Sequence, residues 1–416
     1  MKNSHHSNYK WYILSLAALT HTFSVAMPIM CMPVLFSEIS DELGLSLVEV
    51  GTIWGMFGVA GIFVSLFGGL IGDRIGTKRM LAFGCLTAGL AGALRGLAVG
   101  FTSLAATVVL FGLATTMVPM GVHKTCGVWF TGKRLGLANG VVAVGMALGF
   151  LLGSMFSATV LSPLLGGWRN VLFLYGAISL VISFLWFLTR TKPAEVGQAS
   201  GDSGTVPFRR AVSRVVRIKQ VWVIALVVLG VGGCYQGMLG YLPLYLREIG
   251  WEAASADGAL AAFHGISMMA TIPITLLSDR LGIRKPILFI AALMAVIGVG
   301  LLSVVSGPLV WVAVLIAGMV RDGFMAVYVT MVIETERVGA AYTGTALGLI
   351  YTLGRLGNVF SPPVGNSFAS FGLNVPFMFW AAWAAVALIG FYFIKDARVG
   401  KGVRMLATEE IPSDRL

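Results

Sequence analysis

The sequence predicts an all-α membrane protein whose twelve transmembrane helices form two pseudo-symmetric six-helix bundles. Three observations carry that expectation. The 416 residues are 57% hydrophobic and only 11% charged, with a mean hydropathy of +0.88. A soluble domain has about 25% charged residues; this chain has too few to coat a globule, so its apolar surface must meet lipid. Twelve apolar runs are each long enough to cross the hydrocarbon, which takes about 20 helical residues. Finally, one polar loop motif occurs twice, half a chain apart.

The runs are 11–36, 51–71, 80–99, 104–130, 137–161, 171–189, 221–246, 255–277, 286–305, 308–333, 342–368 and 375–394. Each must be helical, because lipid offers no partner to loose backbone groups. The first is too long for the core of a cleavable signal and no small-residue cleavage site interrupts it, so it reads as a span. An even number of spans puts both termini on one side. Lys and Arg gather in the cytoplasmic loops of such proteins. Placing the termini there puts 23 of the 29 Lys and Arg in cytoplasmic segments, against only Arg169 and Arg247 outside, where seven acids from Glu38 to Asp257 collect. The net charge of +11 is therefore a matter of topology in an inner, cell membrane, and no nucleic acid is needed to explain it.

The longest polar stretch, 190–220, begins Gly- and Ser-rich, as a flexible linker does. It continues through Arg209, Arg210, Arg214, Arg217 and Lys219, a basic amphipathic segment suited to an anionic leaflet. The organisation is thus a bundle over 1–189, a cytoplasmic linker over 190–220, a second bundle over 221–398 and a cytoplasmic tail over 399–416. Cys31, Cys85, Cys126 and Cys234 all fall within apolar spans with no close pair. They read as small buried hydrophobes, not as a disulfide framework or metal ligands. The chain carries no nucleotide-binding loop, metal cluster or nucleophile elbow; neither enzyme activity nor a cofactor is expected.

The repeated motif is Asp73, Arg74, Gly76, Lys78 and Arg79 after span 2, and Asp279, Arg280, Gly282, Arg284 and Lys285 after span 8, a shift of 206 residues. The two halves are copies of one six-helix unit. This Asp-Arg-x-Gly-x-basic-basic loop, present in both halves, resembles the signature of the major facilitator superfamily. The resemblance covers essentially the whole chain and extends to the six-plus-six division and the central loop. It implies an alternating-access secondary transporter, monomeric, in which Asp73, Arg74, Gly76, Asp279, Arg280 and Gly282 form a conformational latch.

Taken in order, the spans supply the candidate residues. Span 1, which lines the cavity in this superfamily, carries His21 near its middle. Arg95, close to the outer end of span 3, is expected to reach the interface. Span 4 runs out through Trp129 and Phe130 to Arg134, Gly136 and Gly140, a junction similar to that of organic-anion members. Those carry an Arg five residues ahead of the Trp-Phe pair; here Lys124 keeps the charge without the planar fork. Gly145, Gly149 and Gly153 of span 5 permit close helix packing, expected where the halves meet. Span 7 places Tyr235 and Gln236 near the midplane, and Tyr241 and Tyr245 at the aromatic belt. Span 8 begins with Asp257, expected at the interface, and carries His264 deeper. Arg321 and Asp322 of span 10 are neighbours, so a regular helix points them about 100° apart. Arg321 is expected toward the cavity, with Tyr328 on its face, and Asp322 toward Arg355 or another helix. Arg355 lies 13 residues from either end of its run, too deep to reach water cheaply. It resembles the span-11 cation of oxalate:formate antiporters, and Asn358 follows on the same face.

Ionisable groups are costly inside a bilayer and mark the path of a solute. Arg321, Arg355 and Lys124 outnumber Asp322, and an uncompensated buried charge is expensive. Such a site waits for an anion, and a carboxylate fits the guanidinium fork. The expected function is proton-coupled symport of a small organic anion. Arg355, Arg321, Lys124, Tyr235, Gln236, Asn358 and His21 would bind it, with Asp322 and His264 handling the proton. The alternatives are anion exchange without protons and proton-coupled drug or metabolite efflux.

Overall fold

A computed structural model describes residues 3–190, 208–335 and 338–394, without the side chains of 3–8, 63–75, 133, 208, 209 and 339–341. Helix α1 runs through Asn3–Leu19, a π-helical stretch Thr20–Ala26, and Met27–Leu43. Pro28 has no N–H to give the carbonyl four residues back, which disturbs the α-helical ladder ahead of it. The helices that follow are α2 Leu47–Ile75, α3 Thr77–Leu94, α4 Phe101–Trp129, α5 Lys133–Phe156 and α6 Trp168–Leu188. After the linker come α7 Lys219–Glu248, α8 Ala253–Leu281 and α9 Lys285–Leu301. Helix α10 is broken into Leu309–Met319 and Arg321–Ile333; α11 is Gly339–Ser367 and α12 is Val375–Phe393. A helix therefore stands at each of the twelve expected places, and among the described residues nine are long and apolar enough to cross a membrane.

Local chemistry sets the helix ends. Ser46 and Glu49 form a reciprocal capping box at the start of α2, satisfying donors the first turn leaves free. Gly76 and Gly282, one in each copy of the repeated loop, adopt φ of +78° and +63°. Only glycine takes that conformation without strain, so both copies need it to stop one helix and start the next. The side chains of Asp73 and Arg74 lie outside the described residues. In the second copy Arg284 bridges Asp279 at 2.7 Å and Glu334 at 3.0 Å, fastening the loop to the end of α10, while Arg280 is exposed.

The packing repeats with a shift of six helices. In the first half α3 packs on α4 and α6, α2 on α4, and α1 on α5; in the second, α9 packs on α10 and α12, α8 on α10, and α7 on α11. The halves meet along α2 with α11 and α5 with α8, two seams that the same shift interchanges. Of the linker, 191–207 lie outside the described residues. Phe208–Val215 is a short amphipathic helix that buries Ala211 and Val215 and sets the Arg214 guanidinium 5.0 Å from the ring of Tyr342 on α11. The tail 399–416 also lies outside the described residues.

Four expectations need correcting. The glycine face of α5 turns to α1 within its own half, not to the other half: a Cβ on Gly149 would sit 2.5 Å from that of Ala26 and 2.8 Å from the Thr22 carbonyl oxygen. Tyr241 is not in an interfacial belt. It is 1% exposed, donates to the Leu373 carbonyl and packs on Phe377 and Trp380. Arg95 does not reach out; it is wholly buried, lies 3.8 Å from the Phe111 ring centroid and donates to the Pro28 carbonyl at 2.9 Å. Asp257 is likewise buried and pairs with Arg247 at 2.7 Å. For the three side chains, a partner inside the bundle holds the polar group away from water, although Arg95 Nη2 and Asp257 Oδ2 are buried without one.

Candidate functional site

The end of the molecule at the α1–α2 and α7–α8 turns is closed. On α2, a Cβ at Gly51 would meet the Pro362 carbonyl at 2.8 Å, at Gly55 the Val359 carbonyl at 2.5 Å, and at Gly61 the Arg355 Nε at 2.7 Å. This run of glycines lets α2 lie backbone to backbone on α11. Polar ties also join the two halves at this end, one between α2 and α11 and two from α7 to α1 and α2. Trp54 Nε1 donates to the Gln236 carbonyl at 2.6 Å, Asn366 Nδ2 to the Leu47 carbonyl at 2.7 Å, and Arg247 Nη1 to the Val34 carbonyl at 2.8 Å. Toward the termini, by contrast, His123, Lys124 and Gly127 of α4 are exposed, and Gly344 and Gly348 of α11 face open space.

Between these ends lies a cavity of about 660 Å³, bounded by α1, α2, α4, α5, α7, α10 and α11. Arg355 is in its wall, and among the described residues no carboxylate lies within salt-bridge distance of it. Gly61 makes room for its guanidinium. Tyr328 and Asn358 line the same wall, and Tyr328 Oη and Asn358 Oδ1 are buried without a hydrogen-bond partner. Gln236 also lines the cavity, its amide nitrogen 3.4 Å from the Trp54 carbonyl. Tyr235 donates to the Ala317 carbonyl at 2.9 Å, one turn ahead of the break in α10 where a carbonyl would otherwise lose its partner.

The neighbours Arg321 and Asp322 do not diverge. Arg321 Nη1 donates to Asp322 Oδ1 at 2.6 Å. The 100° separation holds for a regular helix, but α10 is interrupted at Val320, where ψ is −8°, and the long Arg side chain folds back over the new first turn. The Arg321 guanidinium also lies 5.4 Å from the Phe150 ring centroid, a cation–π distance. The Asp322 amide donates to Ser267 Oγ at 3.2 Å, so this residue sits against α8 and not against Arg355.

The other candidates lie elsewhere. His264 is buried beneath the cavity wall between Phe150 and Phe263, at 5.3 Å from each ring, with neither ring nitrogen bonded. His21 is buried behind the wall, its Nδ1 3.3 Å from the Val142 carbonyl. It touches the cavity through His123, whose ring centre is 5.6 Å away and which does line the space. Lys124 is exposed and is not part of the cavity wall. The structure thus brings Arg355, Arg321, Tyr235, Gln236 and Asn358 together, and leaves His21, His264, Asp322 and Lys124 outside the lining. Sequence reasoning missed Trp54 and the α2 glycines. Small residues at 51, 55, 58 and 61 share one helix face and were the available signal.

A repeated bundle of apolar helices around a mid-bundle cavity, sealed at one end, is the build of a membrane-embedded transporter of a small molecule. The chain belongs to the Major Facilitator Superfamily, whose sequence profile matches residues 14–362. It is 26% identical over 410 residues to the probable nitrate/nitrite antiporter NarK1 of Thermus thermophilus, covering 92% of this chain and 90% of that one. It is 24% identical over 413 residues to the cis,cis-muconate transport protein of Acinetobacter baylyi, covering 94% and 95%. With the probable galactarate/D-glucarate transporter GudP of Escherichia coli it shares 26% over 169 residues, 38% of this chain and 36% of that one. Among solved structures, a variant of the nucleoside transporter NupG superposes with a TM-score of 0.77 at 14% identity, over 92% of this chain and 99% of that one. A bacterial homologue of the lysosomal transporter Spinster gives 0.74 at 15%, over 93% and 97%. These two likenesses concern the fold.

Proposed function

We propose that the protein carries a small organic anion across the cell membrane by alternating access, with Arg355 as its anchor. The observation that carries this reading is Arg355 itself, a cation in the wall of a mid-bundle cavity with no carboxylate beside it among the described residues. Two full-length relatives, named for nitrate/nitrite and for muconate, support an anionic substrate. With both termini in the cytoplasm, as the distribution of Lys and Arg favours, the sealed end faces outward and the conformation is open to the cytoplasm.

The Arg321–Asp322 pair bears on coupling. Because Asp322 already balances Arg321, a bound monoanion leaves the cavity neutral without a proton. The empty site, holding an uncompensated arginine, is costly to close into a low-dielectric seam. That favours exchange of one anion for another over the proton symport expected from Asp322 and His264. A thermal-shift screen of the purified protein against small acids, amines and sugars is the first test. Acids should stabilise the wild type and lose their effect in Arg355→Gln; stabilisation by amines or sugars alone defeats the reading. In proteoliposomes, uptake that requires anion inside the vesicle indicates exchange, and uptake driven by a pH gradient alone, abolished in Asp322→Asn, indicates symport.

A further inference from the structure

The polar groups of the cavity are mostly already engaged, and this constrains the solute. Thr115 and Thr116 donate back to carbonyls of their own helix. The Tyr235 hydroxyl is held by Ala317 and the Gln236 amide faces Trp54. Arg321 is neutralised by Asp322, and Lys124 stands outside the wall. Among the described lining residues this leaves Arg355 as the one arginine or lysine outside an ion pair, with the buried Tyr328 Oη and Asn358 Oδ1 unpartnered near it; the Tyr351 hydroxyl and the His123 ring also line the space. The remaining wall is apolar and in part aromatic, with Met30, Phe57, Met120, Phe150 and Phe324 around the space.

We infer that the substrate is a monocarboxylate with a largely apolar body, and neither a dicarboxylate nor a sugar acid. This rests on the organic-anion reading of Arg355 and narrows it. A second carboxylate would be desolvated with no cation to receive it. A polyhydroxylated acid would lose the water on each hydroxyl and find fewer partners in exchange in a wall that is largely apolar. One carboxylate on the Arg355 fork, one polar substituent within reach of Tyr328 and Asn358, and a ring or chain against the aromatic wall match the charge and the polarity of this lining.

The test compares matched probes on the full-length protein in detergent, by thermal shift and by competition for binding. Benzoate, phenylacetate and hexanoate are the monocarboxylates; phthalate and adipate add a second charge; gluconate adds hydroxyls; nitrate removes the body; benzamide removes the charge. The expected order places the monocarboxylates at least about tenfold tighter than phthalate, adipate, gluconate and nitrate, with benzamide inactive. Two variants read the charge balance directly. Asn358→Asp sets a carboxylate one turn from Arg355 and should abolish monocarboxylate binding. Asp322→Asn frees Arg321, giving the cavity a second cation, and should shift preference toward phthalate and adipate. Tighter binding of phthalate, gluconate or nitrate than of any monocarboxylate overturns this inference while the anion reading stands. Stabilisation by benzamide with none from any anion overturns the anion reading itself.

Discussion

Arg355 can be deep in a helix because α2 presents a glycine to it. Gly61 has no side chain where a Cβ would stand 2.7 Å from Arg355 Nε. Gly61→Ala should push the guanidinium aside and weaken anion binding by about tenfold with little change in thermal stability, which isothermal binding and a melting curve measure separately. Tyr235→Phe should do the opposite. Its hydroxyl serves the Ala317 carbonyl, so its loss should cost about 1 kcal/mol of stability and leave the preference among acids intact. The depth of Arg355 was legible in the sequence, since an arginine 13 residues from either end of an apolar run has no cheap route to water. The Arg321–Asp322 contact was not. It depends on the helix break at Val320, and no Pro or Gly stands at that residue to announce it. Lys124 lies outside the lining for a related reason: its sequence offset from Trp129 matched a pattern, but helix rotation decides which way a side chain faces, and this side chain is exposed and not part of the cavity wall.

At the scale of elements, the close approach of α2 and α11 is the feature most open to test. Gly55 meets the Val359 carbonyl so closely that Gly55→Val must separate the helices, an overpacking cost of about 1–3 kcal/mol borne by the closed turn end alone. Cysteines placed at Leu47 and Asn366, whose backbone and side chain bond at 2.7 Å, should cross-link readily in the parent and poorly in Gly55→Val; unchanged cross-linking would mean the seam is not held by this contact. Helix placement was readable throughout from hydropathy, because a bilayer imposes length and composition on every span. Which face meets which neighbour was less so. The glycines at 145, 149 and 153 were visible as a packing face, yet nothing local distinguishes a partner in the same half from one in the other, and α1 proved to be that partner.

For the whole molecule, the duplicated loop foretold a duplicated packing scheme, and two seams related by the same shift follow from it. Closure at the turn end is held by few polar ties, of which Arg247 is the most exacting. It pairs with buried Asp257 in its own half and reaches Val34 in the other. Asp257→Asn removes the charge that orients it and should shift the population toward a parted turn end. Spin labels at the exposed Asp41 and Glu252 should then report a longer distance than in the parent. The four native cysteines are all buried, which favours selective labelling. An unchanged distance distribution would assign the pair to the stability of the second half alone.

The bond from Trp54 to the Gln236 carbonyl has a practical consequence. An indole that is 1% exposed and tied to the opposite half is an optical reporter placed by nature on the moving joint. When the turn end parts, its ring passes from protein to water, and its emission should fall and move to longer wavelength. The chain has ten tryptophans, so the signal is isolated as the difference between the parent and Trp54→Phe. The opening step could then be timed by stopped-flow fluorescence in unlabelled protein, with each candidate acid used in turn as the trigger.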